Sequence, residues 1–400
     1  MQYLISIFCL VFFSVHCGNE SSQNSYNKEV SIEEIVVGAE RINDYLPLLK
    51  DKTVAGVFNQ SSLIQEKHIV DILIENDVEL KKVFTLEHGF RGKADAGAEI
   101  SDDFDAKTNL PLVSLYGKNK KPDPEQLEGI DIILFDVQDV GVRFYTYIST
   151  LHYVMESAAE EGVEVIVLDR PNPNGHYVDG PILNAEYKSF IGMHPVPVVH
   201  GMTIGEYAKM INGEGWLKDK VTCNLKVITC HDYTKGQFYD LPVRPSPNLP
   251  NARSIFLYPS LCFFEGTSVS IGRGTNLQFQ VVGHPNLKHY SYVFNPKPMF
   301  GAKNPKHNGE SCYGLNLSDL DVEALHFKEQ LDLSILIRMY SEVTATGSEF
   351  FTRPSFFDKL AGSDVLRNQI IKGLTEEEIR NTWEEDLIKY QETRSKYLLY

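Results

Sequence analysis

Ile130-Asp131-Ile132-Ile133-Leu134-Phe135, followed at once by Asp136-Val137-Gln138-Asp139-Val140-Gly141-Val142-Arg143, is the stretch on which the reading of this chain turns. The first six residues are apolar apart from Asp131, as expected of a strand buried on both faces of a parallel sheet. Carboxylates, an amide and a guanidinium then crowd its exit. The same pairing recurs on either side. Val163 to Leu168, with Glu164 as its one polar member, runs into Asp169-Arg170-Pro171-Asn172-Pro173-Asn174-Gly175. Val83 to Leu86 runs into Glu87-His88-Gly89-Phe90-Arg91-Gly92. Between the strand ending at Phe135 and the one beginning at Val163, Ile148 to Glu161 has helical spacing, with Leu151, Val154, Met155, Ala158 and Ala159 as its inner stripe and Gly162 to end it.

Further towards the N-terminus, Thr53 to Phe58 reads as another strand, and Asn59-Gln60-Ser61-Ser62 supplies turn and cap residues. Helical spacing follows from Leu63 to Glu75, and again over residues 32–50. Strand and helix therefore alternate, which predicts an α/β fold with an open parallel sheet covered by helices. Ligand sites in such sheets lie outside the carboxyl ends of the strands. The three polar clusters are thus expected to converge on one edge.

Towards the C-terminus, Thr203 caps a helix beginning Gly205-Glu206, and Leu225 to Thr229 is a strand candidate. After Leu241 the character changes. Pro242, Pro245, Pro247 and Pro250 crowd together, followed by Gly266, Gly272 and Gly274. A first domain over residues 32–240 and a smaller, more mixed α/β or α+β domain over residues 241–400 follow from this shift. In the second, Leu320–His326 and Thr375–Tyr400 are helix candidates, and Tyr292–Phe300 is a loop or edge.

The chain has 400 residues and a formal net charge of -16. An acidic surface argues against nucleic acid as a partner, although a local arginine cluster can still hold a small anion. Residues 1–17, MQYLISIFCLVFFSVHC, are too short an apolar run for a membrane span. They read as a secretory signal, with Cys17 either lipidated as in a bacterial lipoprotein or simply lost on secretion. Residues 18–31 form a polar linker. The expected setting is the cell envelope, periplasmic or anchored to the outer membrane, or outside the cell. Any membrane contact would come through the lipid. Cys223, Cys230, Cys262 and Cys312 lack the spacing of a metal site, and Cys223 with Cys230 are either buried thiols or a disulfide.

Most of the chain, roughly residues 35 to 400, resembles a bacterial family of exo-acting β-N-acetylmuramidases, formerly a domain of unknown function. The resemblance rests on Leu86 to Gly92, Ser114-Leu115-Tyr116-Gly117, Phe135 to Tyr147, Leu168 to Gly175, His200-Gly201-Met202-Thr203-Ile204-Gly205-Glu206, Pro245-Ser246-Pro247-Asn248-Leu249-Pro250, Glu265-Gly266-Thr267 and Gly272-Arg273-Gly274-Thr275. It implies a Rossmann-like domain, a smaller second domain and a cleft between them. It also implies removal of terminal β-1,4-linked N-acetylmuramic acid from the non-reducing end of peptidoglycan fragments during wall recycling. The family's catalytic glutamate falls on Glu87. Many members carry a Trp between Pro242 and Pro245, where this chain has Val243-Arg244.

Cleavage of a glycosidic bond needs a proton donor at the leaving oxygen and a second carboxylate. Glu87 is the expected donor, with His88 to orient it or to bind a hydroxyl. Asp136, Asp139, Glu206 and Glu265 compete for the second role. Glu206 lies three residues after Thr203, which is also the spacing of a capping box. The lactyl carboxylate of the sugar calls for a cation, and an arginine fork suits it. Arg91 and Arg143 lead that set, ahead of Arg170, Arg244 and Arg273. Tyr116, Tyr145 and Tyr147 are placed to stack on sugar or bond hydroxyls, and Asn248 to hold the acetamido group. Gln138, Asp169, Asn172 and His200 complete the candidate substrate contacts. No dinucleotide fingerprint opens an early strand-to-helix turn, so a Rossmann-like shape does not imply NAD, and no cofactor or metal is expected. Two rival readings are a metal-dependent hydrolase and a non-catalytic glycan-binding lipoprotein.

Overall fold

The computed structural model describes residues 34–87, 89–90 and 103–400. The signal stretch, Cys17, His88 and Arg91 lie outside the described residues. In chain order the strands are β1 (Thr53–Phe58), β2 (Leu63–Ile64), β3 (Lys67–His68), β4 (Glu79–Thr85), β5 (Asp103–Phe104), β6 (Pro111–Ser114), β7 (Ile132–Asp136), β8 (Glu164–Leu168), β9 (Leu225–Ile228), β10 (Val281–His284), β11 (Tyr292–Phe294) and β12 (Cys312–Asn316).

Among the described residues the main sheet has seven strands in the order β5-β6-β4-β1-β7-β8-β9. Every pairing is parallel except β5 with β6 at one edge. Successive side chains of a strand point to opposite faces, and the apolar residues sort accordingly. Val54, Phe58, Ile132, Leu134, Ile166 and Leu168 pack on one face with the helices Ile42–Leu49 and Ile69–Glu75. Ala55, Val57, Ile133, Phe135, Val165 and Val167 pack on the other, under the helices Tyr147–Glu161 and Ile204–Gly213. The helix Tyr147–Glu161 buries Leu151, Val154, Met155 and Ala158, and Gly162 ends it at φ 71.

The open parallel sheet is therefore as read from the sequence, and a smaller α/β domain follows it. That domain carries a three-stranded antiparallel sheet, order β10-β12-β11, so the aromatic stretch from Tyr292 begins as an edge strand. It also carries helices at Ala252–Leu261, Ser334–Ala345, Pro354–Ala361 and Val365–Ile371. Its core merges with the first domain's: Phe263, Phe264, Phe279, Phe350 and Phe357 belong to the same apolar cluster as Phe135 and Leu151.

Three local expectations differ. Leu63 to His68 is a short hairpin, β2 with β3, and the helix starts only at Ile69, capped by His68. Residues 35–37 are not helical. Val36 makes a bridge to His231 and the helix begins at Ile42. The C-terminal helix is two, Glu376–Asn381 and Glu384–Ser395. Cys223, Cys230, Cys262 and Cys312 are all free, buried thiols, so Cys223 and Cys230 are not joined. No helix among the described residues is long and apolar enough to cross a membrane.

Candidate active site

Parallel pairing puts the exits of β1, β4, β6, β7 and β8 along one edge: Asn59, Glu87, Tyr116, Asp136 and Asp169. The three polar clusters do converge, but two of them are spent on each other. Asp136 is fully buried and locked by the Arg170 fork, Nε to Oδ1 at 2.6 Å and Nη2 to Oδ2 at 2.9 Å. Burial opposes the Arg170 charge, and Asp136 more than offsets it, leaving the guanidinium pKa raised. Gln138 Nε2 donates to the Asp139 and Pro171 carbonyls. Asn172 Nδ2 donates to Met202 O, and its Oδ1 accepts from Asn174 N. Gly141 sits against that amide at φ 79, where a Cβ would stand 2.2 Å from Asn172 Oδ1. These side chains stitch the strand exits together.

Several other expected site residues are held in the same way. Asp169, fully buried, accepts from Thr203 Oγ1, Gly205 N and Tyr400 OH. Burial outweighs those donors and pushes its pKa up to about 6. Glu206, itself fully buried, completes a capping box with Thr203, accepts from Leu399 N and pairs with Lys235. Arg143, expected at the lactyl group, donates instead to the carbonyls of Pro181, Val196 and Leu360 and is wholly enclosed. That enclosure pushes its pKa down to about 9. It ties the strand-exit cluster to the helix Pro354–Ala361 rather than facing a cleft. His200 lies buried, its Nε2 3.6 Å from Asp139 Oδ2, and Gly141 N donates to that same oxygen at 2.7 Å. Asn248 Nδ2 donates to Gly301 O.

Glu87 is different in kind. It lies two residues past β4, in a turn closed by Gly89 N to Leu86 O at 2.9 Å, with Gly89 at φ 74. It is half-buried, and neutral hydroxyls hold both of its oxygens. Tyr116 OH donates to Oε1 at 3.0 Å and Thr146 Oγ1 to Oε2 at 3.2 Å. Burial, and then the Glu87 charge, keep the Tyr116 phenol well above its usual range, so it stays a donor. Beside them Tyr147 OH accepts from Asn59 Nδ2 at 2.9 Å, and the Tyr145 ring meets the Tyr147 ring edge-on at 4.7 Å. Tyr145 OH donates to Pro245 O at 2.8 Å, and Gln60 Nε2 donates to the same carbonyl at 3.0 Å.

The second domain contributes Glu265 and Arg273. Arg273 Nε stands 2.6 Å from Glu265 Oε1, both side chains partly exposed. The N–H is not aimed along that line, so this is an ionic contact rather than a directed hydrogen bond. Burial opposes the Arg273 charge, but Glu265, then Tyr258 and Cys262, then Glu87, raise its pKa. Its field thus reaches both carboxylates. Among the described residues no group of three His, Cys, Asp or Glu is arranged to hold a metal ion. Sequence reasoning passed over Thr146 and Asn59. Thr146 stood between two tyrosines already singled out, and Asn59 sat in a strand exit read only as a cap.

Comparison with known proteins gives the family. Sequence models for the N-terminal and C-terminal parts of the exo-β-N-acetylmuramidase NamZ match residues 54–253 and 256–400. The peptidoglycan β-N-acetylmuramidase NamZ of Bacillus subtilis (strain 168) is 39% identical over 410 residues, covering 98% of this chain and 97% of that one. Crystal structures of two DUF1343 family proteins of Bacteroides fragilis NCTC 9343 superpose on it. One has a TM-score of 0.85 at 45% identity, over 92% of this chain and 99% of the other. The second has a TM-score of 0.76 at 29% identity, with the same two shares covered. The chain belongs to the NamZ exo-β-N-acetylmuramidase family.

Proposed function

We propose that this chain releases terminal β-1,4-linked N-acetylmuramic acid from the non-reducing end of peptidoglycan fragments, with Glu87 as the proton donor to the leaving oxygen. The observation that carries this is the setting of Glu87. It is a half-buried carboxylate just past a strand end, with a hydroxyl donating to each of its oxygens. Hydroxyl donors on both oxygens orient a carboxyl for proton transfer to a substrate oxygen. Glu265 is the best-supported second carboxylate. Asp136 and Glu206 are consumed by Arg170 and by the helix cap, and Asp139 is only 2% exposed. Glu265 is partly open, and its partner Arg273 also senses Glu87. Arg273 is suited to hold charge near the reacting centre. Arg244, exposed over the Phe300 ring at 5.5 Å and next to the Pro245 carbonyl gripped by Tyr145, is suited to the lactyl group.

The N-terminal apolar stretch supports delivery to the envelope, through a lipid on Cys17 or by plain secretion. The mass of the mature N-terminus distinguishes the two.

The test of function is the purified protein incubated with a disaccharide of N-acetylmuramic acid β-1,4-linked to N-acetylglucosamine, in excess EDTA. Free N-acetylmuramic acid is expected, while chains ending in N-acetylglucosamine at the non-reducing end stay whole. Binding without release would favour a non-catalytic glycan-binding protein, and loss of release in EDTA a metal-dependent hydrolase.

A further inference from the structure

Pro305-Lys306-His307 belongs to none of the polar motifs, yet it braces the two segments that carry Glu265 and Arg273. Lys306 Nζ lies among four backbone carbonyls: Phe264 at 2.7 Å, Glu265 at 3.3 Å, Thr267 at 2.6 Å and Val269 at 3.4 Å. His307 Nε2 contacts Ser268 O at 2.6 Å. On the other side the Arg273 turn rests on the same segment. Gly274, at φ 84, leaves room for Pro305, whose Cβ would be 2.7 Å from a Cβ built there. Lys297 N donates to Gly274 O at 2.8 Å.

We propose that Lys306 is a positioning residue for the reaction: its ammonium fixes the backbone of residues 264–269 so that the Glu265 carboxylate is held against Arg273 beside Glu87. The proposal rests on the reading of Glu87 and Glu265 given above.

The choice of side chain follows from geometry. An ammonium is a compact charge with three donors, and it can gather carbonyls crowded around a single nitrogen, whereas a guanidinium spreads its donors over a planar fork. Carbonyl dipoles stabilise the charge without neutralising it. The ammonium therefore faces the remaining charged and titratable groups around it, Glu265, Arg273, Arg353 and Cys262. Burial is the largest influence and pushes its pKa down to about 8. Loss of the proton leaves an amine with fewer donors and no charge, and the loop carrying Glu265 loses its anchor. Turnover should fall on the alkaline side for that reason.

The experiment uses the full chain, with Lys306→Met, Lys306→Arg, Glu265→Gln and the Lys306→Met/Glu265→Gln double variant. A chromogenic aryl β-N-acetylmuramide is the substrate, and Tm is the check on folding. Lys306→Met is expected to lower kcat by about 30-fold or more with KM within about threefold, since the loss falls on the transition state. Removing Lys306 from Glu265→Gln should cost less than about threefold, because neighbours acting as one unit are not additive. The wild type should show a fall in kcat around pH 8 that Lys306→Arg lacks, since arginine keeps its charge throughout. If Lys306→Met does not fold, the Lys306→Arg profile alone decides. A folded Lys306→Met with wild-type kcat, an undiminished loss on the Glu265→Gln background, or an alkaline fall unchanged in Lys306→Arg would each overturn the proposal. A wild-type protein that releases no sugar would instead overturn the functional reading beneath it.

Discussion

Asp136→Asn separates the architecture of the strand exits from their chemistry. The wild-type carboxylate meets Arg170 through two short contacts, 2.6 and 2.9 Å, and neither partner is more than 3% exposed. Asparagine keeps the shape and one acceptor oxygen but leaves the Arg170 charge uncompensated in the interior. Breaking a buried pair from one side costs about 3–5 kcal/mol, and the retained acceptor argues for the lower end, about 3 kcal/mol. For a chain of this size that corresponds to a fall in Tm of about 4 °C. Arg170 Nη2 also donates to Leu63 O at 3.1 Å, so the β2–β3 hairpin should loosen with it. Thermal unfolding followed by circular dichroism measures the first effect. Release of N-acetylmuramic acid per mole of folded protein, measured well below the transition, should stay within about threefold of wild type, as expected of a group outside the chemistry. An unchanged Tm with kcat reduced a hundredfold would refute this reasoning and place Asp136 among the reacting groups.

Further perturbations have defined outcomes. Burial pushes His152 down to about 4, whereas an unfolded histidine titrates near 6.5. The unfolded chain therefore takes up that proton first, so stability is full above pH about 6.5 and falls as pH drops towards 4, by about 3 kcal/mol for this group. Tm measured from pH 7.5 to 4.5 should show the fall, and His152→Gln should flatten it. Tyr116→Phe removes one of the two hydroxyls holding Glu87 and should lower kcat about five- to tenfold with KM little changed, as a lost hydrogen bond of about 1 kcal/mol implies; unchanged kcat would show that Thr146 alone suffices. Gly141→Ala forces a Cβ into Asn172 at a positive φ and should cost more than about 1 kcal/mol by denaturant unfolding, against no loss if the turn relaxes.

Much of the fold was legible because its signal is local. Thr53–Phe58, Glu164–Leu168 and Tyr147–Glu161 announce themselves through uninterrupted burial or a clear stripe, and Gly162 marks an end that only an αL residue makes easily. Leu63 to His68 misled because Leu63, Ile64, Ile69 and Val70 fit a helical face. The turn at Gln65, a non-glycine residue at φ 54, gives no sequence cue. The site was legible in position but not in partnership. Where a strand ends can be read from composition. Which acceptor meets which cation depends on groups brought together from distant residues, as with the Asp136 carboxylate and Arg170, or the Leu360 carbonyl and Arg143. A buried arginine satisfied by carbonyls and an arginine open to substrate look the same in one dimension. Lys306 shows the converse, since its acceptors are backbone atoms that no residue pattern records.

On the proposed mechanism Glu87 gives its proton to the leaving oxygen. Glu87→Gln keeps the shape and an acceptor for one hydroxyl but cannot donate as an acid. With the disaccharide of N-acetylmuramic acid and N-acetylglucosamine, kcat should fall by about 10²- to 10⁴-fold while binding persists. With an aryl glycoside whose leaving group needs no proton, the fall should be at least about tenfold smaller. Disaccharide turnover in Glu87→Gln within about threefold of wild type would rule Glu87 out as the proton donor.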